Sequence, residues 1–208
     1  MELKGKKVNF LGDSITQGVG ASCESTRYTD VFAKEAGIGV MRNYGISATR
    51  IANQQNVERD IDELSFCQRF ERMDGDADIV VVFGGTNDYG HGDAPFGTFE
   101  DRTPDTFCGA CHYLMKGLIE KYPDKTIVFM TPLHREIEFK DIPLKKYVDI
   151  IKQTAEHYSI PVVDLFATAG ICPAIEIHKQ TYCPDGLHPN DAGHRRVALR
   201  LKASLEAL

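Results

Sequence analysis

The segment at residues 79–83, Ile-Val-Val-Val-Phe, is the strongest single constraint on the fold of this chain. It is apolar at every position rather than at alternate ones, which is typical of a strand covered on both faces. Such strands occur in parallel sheets whose crossover helices pack on both sides of the sheet. The segment is also much shorter than the roughly 18 to 20 apolar residues that cross a bilayer, and the sequence has no longer apolar run. An α/β fold without a transmembrane segment is therefore predicted.

The rest of the chain repeats an alternation of strand-like and helix-like segments. Five strands are predicted, at residues 8–11, 40–46, 79–83, 126–130 and 161–165. Five helices are predicted, at residues 28–36, 57–73, 104–122, 144–158 and 191–208. No internal repeat or linker-like tract separates them. The order predicts a three-layer α/β/α sandwich with a five-stranded parallel sheet, in one domain over residues 1–208.

Charge and composition narrow the class of function. The 208 residues include 24 Lys and Arg against 30 Asp and Glu, a formal net charge of -6. Binding to nucleic acid depends on clustered basic residues. The longest basic runs in this sequence are pairs, at 6–7, 145–146 and 195–196. Nucleic acid is therefore not an expected partner.

The cysteines and the amino terminus indicate a cytoplasmic protein. Six cysteines are scattered through a chain long enough to fold without disulfides, so reduced thiols are expected. The charged start at residues 1–7 leads into the four residues Val-Asn-Phe-Leu and then Gly-Asp, which is too short for the apolar core of a secretory signal. We expect cytoplasmic localisation, and the sequence indicates no oligomeric state.

Polar residues follow the predicted strands at the edge where ligands bind in parallel α/β sheets. Four such segments stand out, at residues 12–16 (Gly-Asp-Ser-Ile-Thr), 45–47 (Gly-Ile-Ser), 84–88 (Gly-Gly-Thr-Asn-Asp) and, before the last helix, 185–189 (Asp-Gly-Leu-His-Pro). Because the carboxyl ends of parallel strands share one edge, these segments are expected to form one site.

Ser14, His188 and Asp185 provide the three groups of a nucleophilic hydrolase. A serine hydroxyl becomes an effective nucleophile when a base takes its proton and an acid holds that base in the right tautomer. Asp185 lies three residues before His188 in a loop that contains glycine, so its carboxylate can fold back onto the Nδ1 proton. The imidazole Nε2 is then left to face Ser14.

A tetrahedral intermediate also requires hydrogen-bond donors directed at its oxyanion. The candidates are the N–H groups of Ser14 and Gly45 and the side-chain amide of Asn87. Glycine at position 45 permits close approach of the backbone to a substrate.

These residues resemble the four sequence blocks of the SGNH (GDSL-like) hydrolases, in the order of that family. The blocks correspond to residues 12–16, 43–45, 84–88 and 185–189, and they span most of the chain. Each block alone is short enough to arise by chance, but four in the correct order at strand ends are specific. The second block departs somewhat from the usual pattern, since Gly45 is followed by Ile-Ser-Ala-Thr, and Ala48 holds the position of a frequent small residue.

The resemblance implies a flavodoxin-like sheet of strand order 2-1-3-4-5 and hydrolysis of an ester through an acyl-enzyme. It implies Ser14 as nucleophile, His188 as general base and then acid, and Asp185 as its orienting residue. The N–H groups of Ser14 and Gly45 and the amide of Asn87 would form the oxyanion hole. The family resemblance implies neither a metal nor a cofactor.

The expected substrate is a small-molecule ester, and the sequence does not define its acyl group. Because no strongly apolar lid is evident, small acyl groups such as O-acetyl on carbohydrate are favoured. The alternatives are longer acyl chains, as in lysophospholipids and thioesters, or a non-catalytic ligand-binding protein of the same fold. The loops at 89–103 and 134–136 are expected to shape the pocket, and His91 and His134 follow strand ends where they could line it.

Each motif also has a structural interpretation. Ser14 could cap a helix, Asp185 and His188 could be an ion pair in a loop, and Asn87 could be a turn residue. For Asp88 the role of a turn residue is preferred.

Two further motifs suggest cofactors but fit them poorly. Cys108 and Cys111 have the spacing of a redox or zinc pair, yet Cys111 falls on an apolar helical stripe and no second pair exists. Gly18-Val19-Gly20 lacks the third glycine of a dinucleotide fingerprint, and no phosphate-binding loop is evident. This glycine-containing loop is expected to lie beside Ser14.

Overall fold

The computed structural model describes residues 1–55, 65–138 and 141–208, and a five-stranded parallel sheet forms its centre. The strands are β1 (Lys7–Gly12), β2 (Val40–Gly45), β3 (Ile79–Phe83), β4 (Thr126–Met130) and β5 (Val162–Val163). Every neighbouring pair is parallel, and the order is β2-β1-β3-β4-β5. This confirms the predicted sheet and its strand order.

Nine α-helices are present in the described part of the chain. They are α1 (Ser14–Gln17), α2 (Tyr28–Ala36), α3 (Phe66–Arg69), α4 (Thr86–His91), α5 (Phe107–Lys121), α6 (Leu144–His157), α7 (Leu165–Thr168), α8 (Glu176–Tyr182) and α9 (Asp191–Glu206). The long helices α2, α5, α6 and α9 were predicted. The short helices α1, α4, α7 and α8 were not, because one or two turns are too short to show a helical period.

Two predicted elements differ in extent from the structure. Of the helix predicted at 57–73, residues 57–64 lie outside the described residues. The remainder contains α3, which starts after Ser65 because the Ser65 side chain accepts the Gln68 N–H, and then a 3-10 turn at Phe70–Arg72. The last strand, predicted at 161–165, ends at Val163 because Asp164 accepts the Ala167 N–H and starts α7.

Two apolar layers cover the faces of the sheet. The side chains of β3 alternate between them, with Val80 and Val82 on one face and Val81 on the other. The first layer also contains buried residues of α5 and α6, and the second contains buried residues of α2 and α9. Helices on both faces explain why no position of β3 is polar. This confirms the three-layer α/β/α sandwich.

The register of the strands brings the chemistry-bearing segments to one edge. Gly12 at the end of β1 pairs with Gly45 at the end of β2 and with Phe83 at the end of β3. The segments that follow these strands therefore start level with one another, above the centre of the sheet.

Within residues 1–55, 65–138 and 141–208, no helix combines the length and the apolar character that a membrane span requires.

Candidate active site

Ser14, His188 and Asp185 lie in one chain of hydrogen bonds. The Ser14 Oγ is 2.9 Å from His188 Nε2, and the His188 Nδ1 is 2.7 Å from Asp185 Oδ2. Ser14 is buried at the start of α1, and His188 reaches it from the loop before α9, 174 residues away in sequence. The structure thus brings together the three residues that the sequence predicts as a catalytic group.

The loop around Asp185 fixes the orientation of the His188 ring. Asp185 Oδ1 accepts the N–H groups of Leu187 and His188, at 2.9 and 2.6 Å, which folds the chain back on itself. Burial acts to raise the pKa of Asp185, but the hydrogen bonds from the His188 side chain and from these N–H groups outweigh it and hold the pKa below its usual range. An ionised carboxylate can only accept, so Nδ1 of His188 carries a proton and its Nε2 can accept from the Ser14 hydroxyl.

Asp13 holds the turn that presents Ser14. Its side chain accepts the Ile15 N–H at 3.0 Å and caps α1 directly after β1. Burial raises the pKa of Asp13 to about 7, because the charged form loses its hydration there. Helix capping is thus carried out by Asp13, and Ser14 is the first residue inside the helix.

The structure gives Gly45 contacts that differ from the predicted ones. Its N–H donates to Asn43 Oδ1 at 2.8 Å, so this donor is already engaged. A Cβ at position 45 would lie 2.2 Å from the Gln17 backbone nitrogen, so α1 is what approaches Gly45 closely. The Asn43 side chain completes the contact by donating to the Thr16 carbonyl at 2.6 Å.

The first four residues after β2, at 46–49, include one backbone N–H that has no acceptor in the described part of the chain. The N–H groups of Ile46, Ser47 and Thr49 donate to the Gly12 carbonyl, to Gln17 Oε1 and to the Ile46 carbonyl. Among the described residues no acceptor faces the N–H of Ala48. Ala48 has a φ of 65°, in the left-handed region that side chains other than glycine rarely adopt. The sequence signal for this residue was its place three positions after Gly45.

Asn87 and Asp88 lie in the first turn of α4, which begins at Thr86 above the end of β3, and both are buried. The Asn87 Nδ2 donates to the Thr49 carbonyl at 3.0 Å. Asp88 accepts the N–H groups of Ile51 and Ala52 at 2.9 and 3.0 Å, and burial raises its pKa to about 6. Asp88 therefore anchors the loop after β2 to α4, a more specific role than the turn residue that the sequence predicted.

Arg69 ties the same loop to the sheet. Its guanidinium donates to the carbonyls of Tyr44 and Gly12, the latter at 2.6 Å, and to Thr49 Oγ1 at 3.0 Å. Burial lowers the pKa of Arg69 to about 10, and the nearby Asp13 opposes this shift. Arg69 lies in the helix predicted at 57–73, whose periodicity did not indicate a link to the site.

Two loops border the serine and histidine. The glycine-containing loop is held to α9, since Asp191 accepts from the Ser22 N–H at 2.7 Å, and a Cβ at Gly20 would lie 3.3 Å from the His188 Cβ. On the other side the Glu136 N–H donates to the Gly186 carbonyl at 2.9 Å. The Val19 N–H of the first loop donates to the Ser14 carbonyl at 2.9 Å, so this loop lies beside Ser14 as the sequence predicts, and the loop at 134–136 contacts the histidine loop.

Both cysteines of the Cys108–Cys111 motif are buried. Cys111 is fully buried in the layer under α5, as its helical spacing predicts, and all six cysteines are free thiols. In the described ranges, no three His, Cys, Asp or Glu side chains are grouped as a metal site requires.

The chain is similar to known proteins in sequence and in fold. Residues 10–196 match the model of the GDSL-like Lipase/Acylhydrolase family. A protein of known structure from Lactobacillus plantarum is 31% identical, with a TM-score of 0.86 over 99% of this chain and 98% of that one. No curated protein matches the sequence.

More distant structures share the fold. A protein from Bacteroides uniformis, provisionally assigned as a GDSL-like lipase, is 22% identical with a TM-score of 0.75 over 98% of this chain and 96% of that one. Axe2, an acetylxylan esterase from Geobacillus stearothermophilus, is also 22% identical, with a TM-score of 0.64 over 99% of this chain and 96% of that one.

Proposed function

Since the chain belongs to the GDSL-like Lipase/Acylhydrolase family, we propose that it is a serine esterase that cleaves carboxylic esters through an acyl-enzyme on Ser14. The hydrogen-bonded series from Ser14 through His188 to Asp185 is the observation that supports this most directly. It supplies a nucleophile, a base and an orienting acid within hydrogen-bond distance of one another.

The reaction follows from these contacts. Ser14 Oγ attacks the ester carbonyl carbon while His188 Nε2 takes the hydroxyl proton. The tetrahedral intermediate collapses as the carbon–oxygen bond to the alcohol breaks, and His188 returns the proton to the departing oxygen. Water then attacks the acyl-enzyme by the same two steps, which releases the acid and restores Ser14. Asp185 stays ionised throughout, and it stabilises the imidazolium that His188 becomes when it holds the proton.

The oxyanion hole is assigned to three donors on three segments. They are the N–H of Ser14, the Nδ2 of Asn87 and the N–H of Ala48. Gly45 is the donor that the second block predicts, but its N–H already donates to Asn43. Ala48 lies in the same loop as Thr49, whose carbonyl accepts one of the two Nδ2 protons of Asn87 and leaves the other for the substrate oxygen. Donors fixed in this way need no reorganisation when charge develops on the substrate oxygen.

Small, hydrophilic esters are the proposed substrates, with O-acetyl groups on carbohydrate as the leading case. The supporting observation is the polar character of the bordering loops, where Arg135 donates to the Thr86 carbonyl at 2.9 Å and Glu136 pairs with Lys179 at 2.8 Å. The similarity in fold to an acetylxylan esterase agrees with this assignment. Longer acyl chains are the alternative.

The serine mechanism is tested with p-nitrophenyl acetate. The wild type should hydrolyse this ester, and Ser14→Ala should reduce kcat by at least about 10³, since the nucleophile is lost. Ser25→Ala, an exposed serine of the neighbouring loop, is the matched control and should retain activity. Circular dichroism checks the fold of each variant. Equal activity in wild type and Ser14→Ala would contradict the proposal.

The acyl preference is tested separately. Acetyl, butyryl and octanoyl esters of p-nitrophenol are compared by kcat/KM, followed by acetylated and deacetylated xylo-oligosaccharides with release of acetate as the readout. We expect the acetyl ester to be the best of the three. A preference for octanoyl would favour the alternative of longer acyl chains.

A further inference from the structure

The amide of Asn87 has a determined orientation. Thr49 offers a carbonyl oxygen, which can only accept, so the atom of Asn87 that faces it at 3.0 Å is the Nδ2. The carbonyl oxygen of the amide, Oδ1, therefore points the other way. It lies 3.1 Å from Nε2 of His91.

The ring of His91 has a determined tautomer. Its Nδ1 lies 2.7 Å from an NH2 group of Arg50, and a guanidinium can only donate. Nδ1 must accept, so the proton of the neutral ring is on Nε2. That nitrogen donates to Asn87 Oδ1.

The contacts at the two ends of this series lead independently to the same hydrogen bond between His91 and Asn87. The Thr49 carbonyl requires the oxygen of the amide to face His91, and Arg50 requires His91 to donate to that oxygen. Helix α4 makes the contact possible, because Asn87 and His91 are four residues apart and so share one face.

We propose that His91, oriented by Arg50, is a positioning residue of the oxyanion hole that holds Asn87 with its NH2 group toward the substrate. This inference rests on the proposed function, since it assigns His91 a role only if Asn87 is an oxyanion donor. The hydrogen bond at Oδ1 also polarises the amide, which makes the Nδ2 protons better donors.

The position of His91 suits a test by substitution. His91 is an exposed residue at the end of α4, so its replacement leaves the apolar core intact. Without it, Oδ1 of the buried Asn87 loses its donor and the amide can rotate. Substrate binding should change little, because the oxyanion forms only in the transition state.

The first experiment measures kcat and KM for His91→Leu and His91→Gln. His91→Leu should lower kcat by about tenfold with KM nearly unchanged, which corresponds to one lost hydrogen bond. In His91→Gln the amide nitrogen can donate to Asn87 and its oxygen can accept from Arg50, so most of the lost kcat should return. His157→Leu, an exposed histidine at the end of α6, is the matched control and should keep wild-type kcat. Equal losses in His91→Leu and His91→Gln would overturn the proposal.

A double-mutant cycle distinguishes this inference from the function on which it rests. Asn87→Ala should lower kcat by about 10² to 10³. If His91 acts through Asn87, adding His91→Leu to Asn87→Ala should cause no further loss. The same loss in both backgrounds would overturn the role of His91 and leave the esterase intact. Full kcat in Asn87→Ala would instead remove the oxyanion role of Asn87, and the inference with it.

The tautomer itself has a readout that does not depend on activity. Long-range ¹H–¹⁵N correlation spectra of the imidazole rings, assigned by comparison with His91→Gln, distinguish the two neutral tautomers. We expect the Nε2–H form for His91 at neutral pH. A dominant Nδ1–H form would overturn the proposal.

Discussion

At the scale of single residues, the backbone of Ala48 is the clearest departure from ordinary geometry near the site. Its φ of 65° costs free energy in any residue that has a Cβ, and the cost is retained where the loop presents a backbone N–H. The Cβ of Ala48 makes this backbone conformation strained, and among the described residues no hydrogen bond of the Ala48 N–H compensates for the strain.

Replacing Ala48 by Gly should therefore raise the free energy of unfolding by about 0.5–1 kcal/mol, because glycine adopts positive φ freely. Urea denaturation measures this value, and kcat should be retained since the N–H remains. Ala33→Gly, in the right-handed backbone of α2, should lose about 1 kcal/mol. Destabilisation of Ala48→Gly to the same extent would contradict the interpretation of strain.

Asp13 provides a prediction for pH. Its pKa is about 7 in the folded state against an ordinary value of 3.8, so between these values the folded state binds more protons than the unfolded state. The contribution of Asp13 to stability therefore falls as pH rises from about 4 to 7. Asp13→Asn keeps an acceptor for the Ile15 N–H and does not ionise.

The difference in free energy of unfolding between Asp13→Asn and wild type should grow from pH 4 to 7 and then level off, at about 1–4 kcal/mol in favour of the variant. Urea denaturation at five pH values measures it. Asp149→Asn, on α6, controls for the loss of one negative charge. A difference that does not change with pH would show that Asp13 is not held neutral by burial.

At the scale of elements, the site is assembled where short helices follow strands. Helices α1 and α4 begin directly after β1 and β3, and each places a polar residue at the same edge of the sheet. Asp88 then fixes the loop after β2 to α4, and Arg69 fixes the same loop to the ends of β1 and β2. The position of the loop therefore depends on buried polar contacts.

Asp88→Ala should lower the free energy of unfolding by about 2–4 kcal/mol, because the N–H groups of Ile51 and Ala52 lose their acceptors in a buried place. Asp88→Asn retains one acceptor oxygen and should lose about half as much. Urea denaturation compares the two variants. If both lose the same amount, the acceptor oxygens are not what stabilises this loop.

At the scale of the whole molecule, the sheet separates two apolar cores. Leu114 of α5 is fully buried in one and Ile171 is buried in the other, so they share no packing neighbours across the sheet. Substitutions in separate cores should act independently.

Leu114→Ala should lower the free energy of unfolding by about 3 kcal/mol and Ile171→Val by about 1 kcal/mol. Each loss comes from lost burial and from the cavity that remains. The double variant should lose the sum to within about 0.5 kcal/mol in urea denaturation. Leu114→Ala combined with Ile151→Val, in the same core, is the comparison where non-additivity can arise. A large coupling between Leu114 and Ile171 would show that the two cores respond as one.

The sequence by itself determined the architecture and the identity of the three hydrogen-bonded residues. A strand that is apolar at every position requires helices on both faces, and polar segments after parallel strands must share an edge. Ser14, His188 and Asp185 follow from this, because local spacing joins Asp185 to His188 and topology brings both to Ser14.

Only the tertiary structure decided which backbone donor is unengaged and which side chains orient Asn87. Asn43 is only two residues from Gly45, but its side chain is also held from a distance: its Oδ1 accepts the Gly45 N–H while its Nδ2 donates to the Thr16 carbonyl of α1, 27 residues away. The tautomer of His91 depends on Arg50, which is 41 residues away in sequence. Hydrogen-bond partners between distant segments are fixed when the elements pack, so a local sequence pattern cannot specify them.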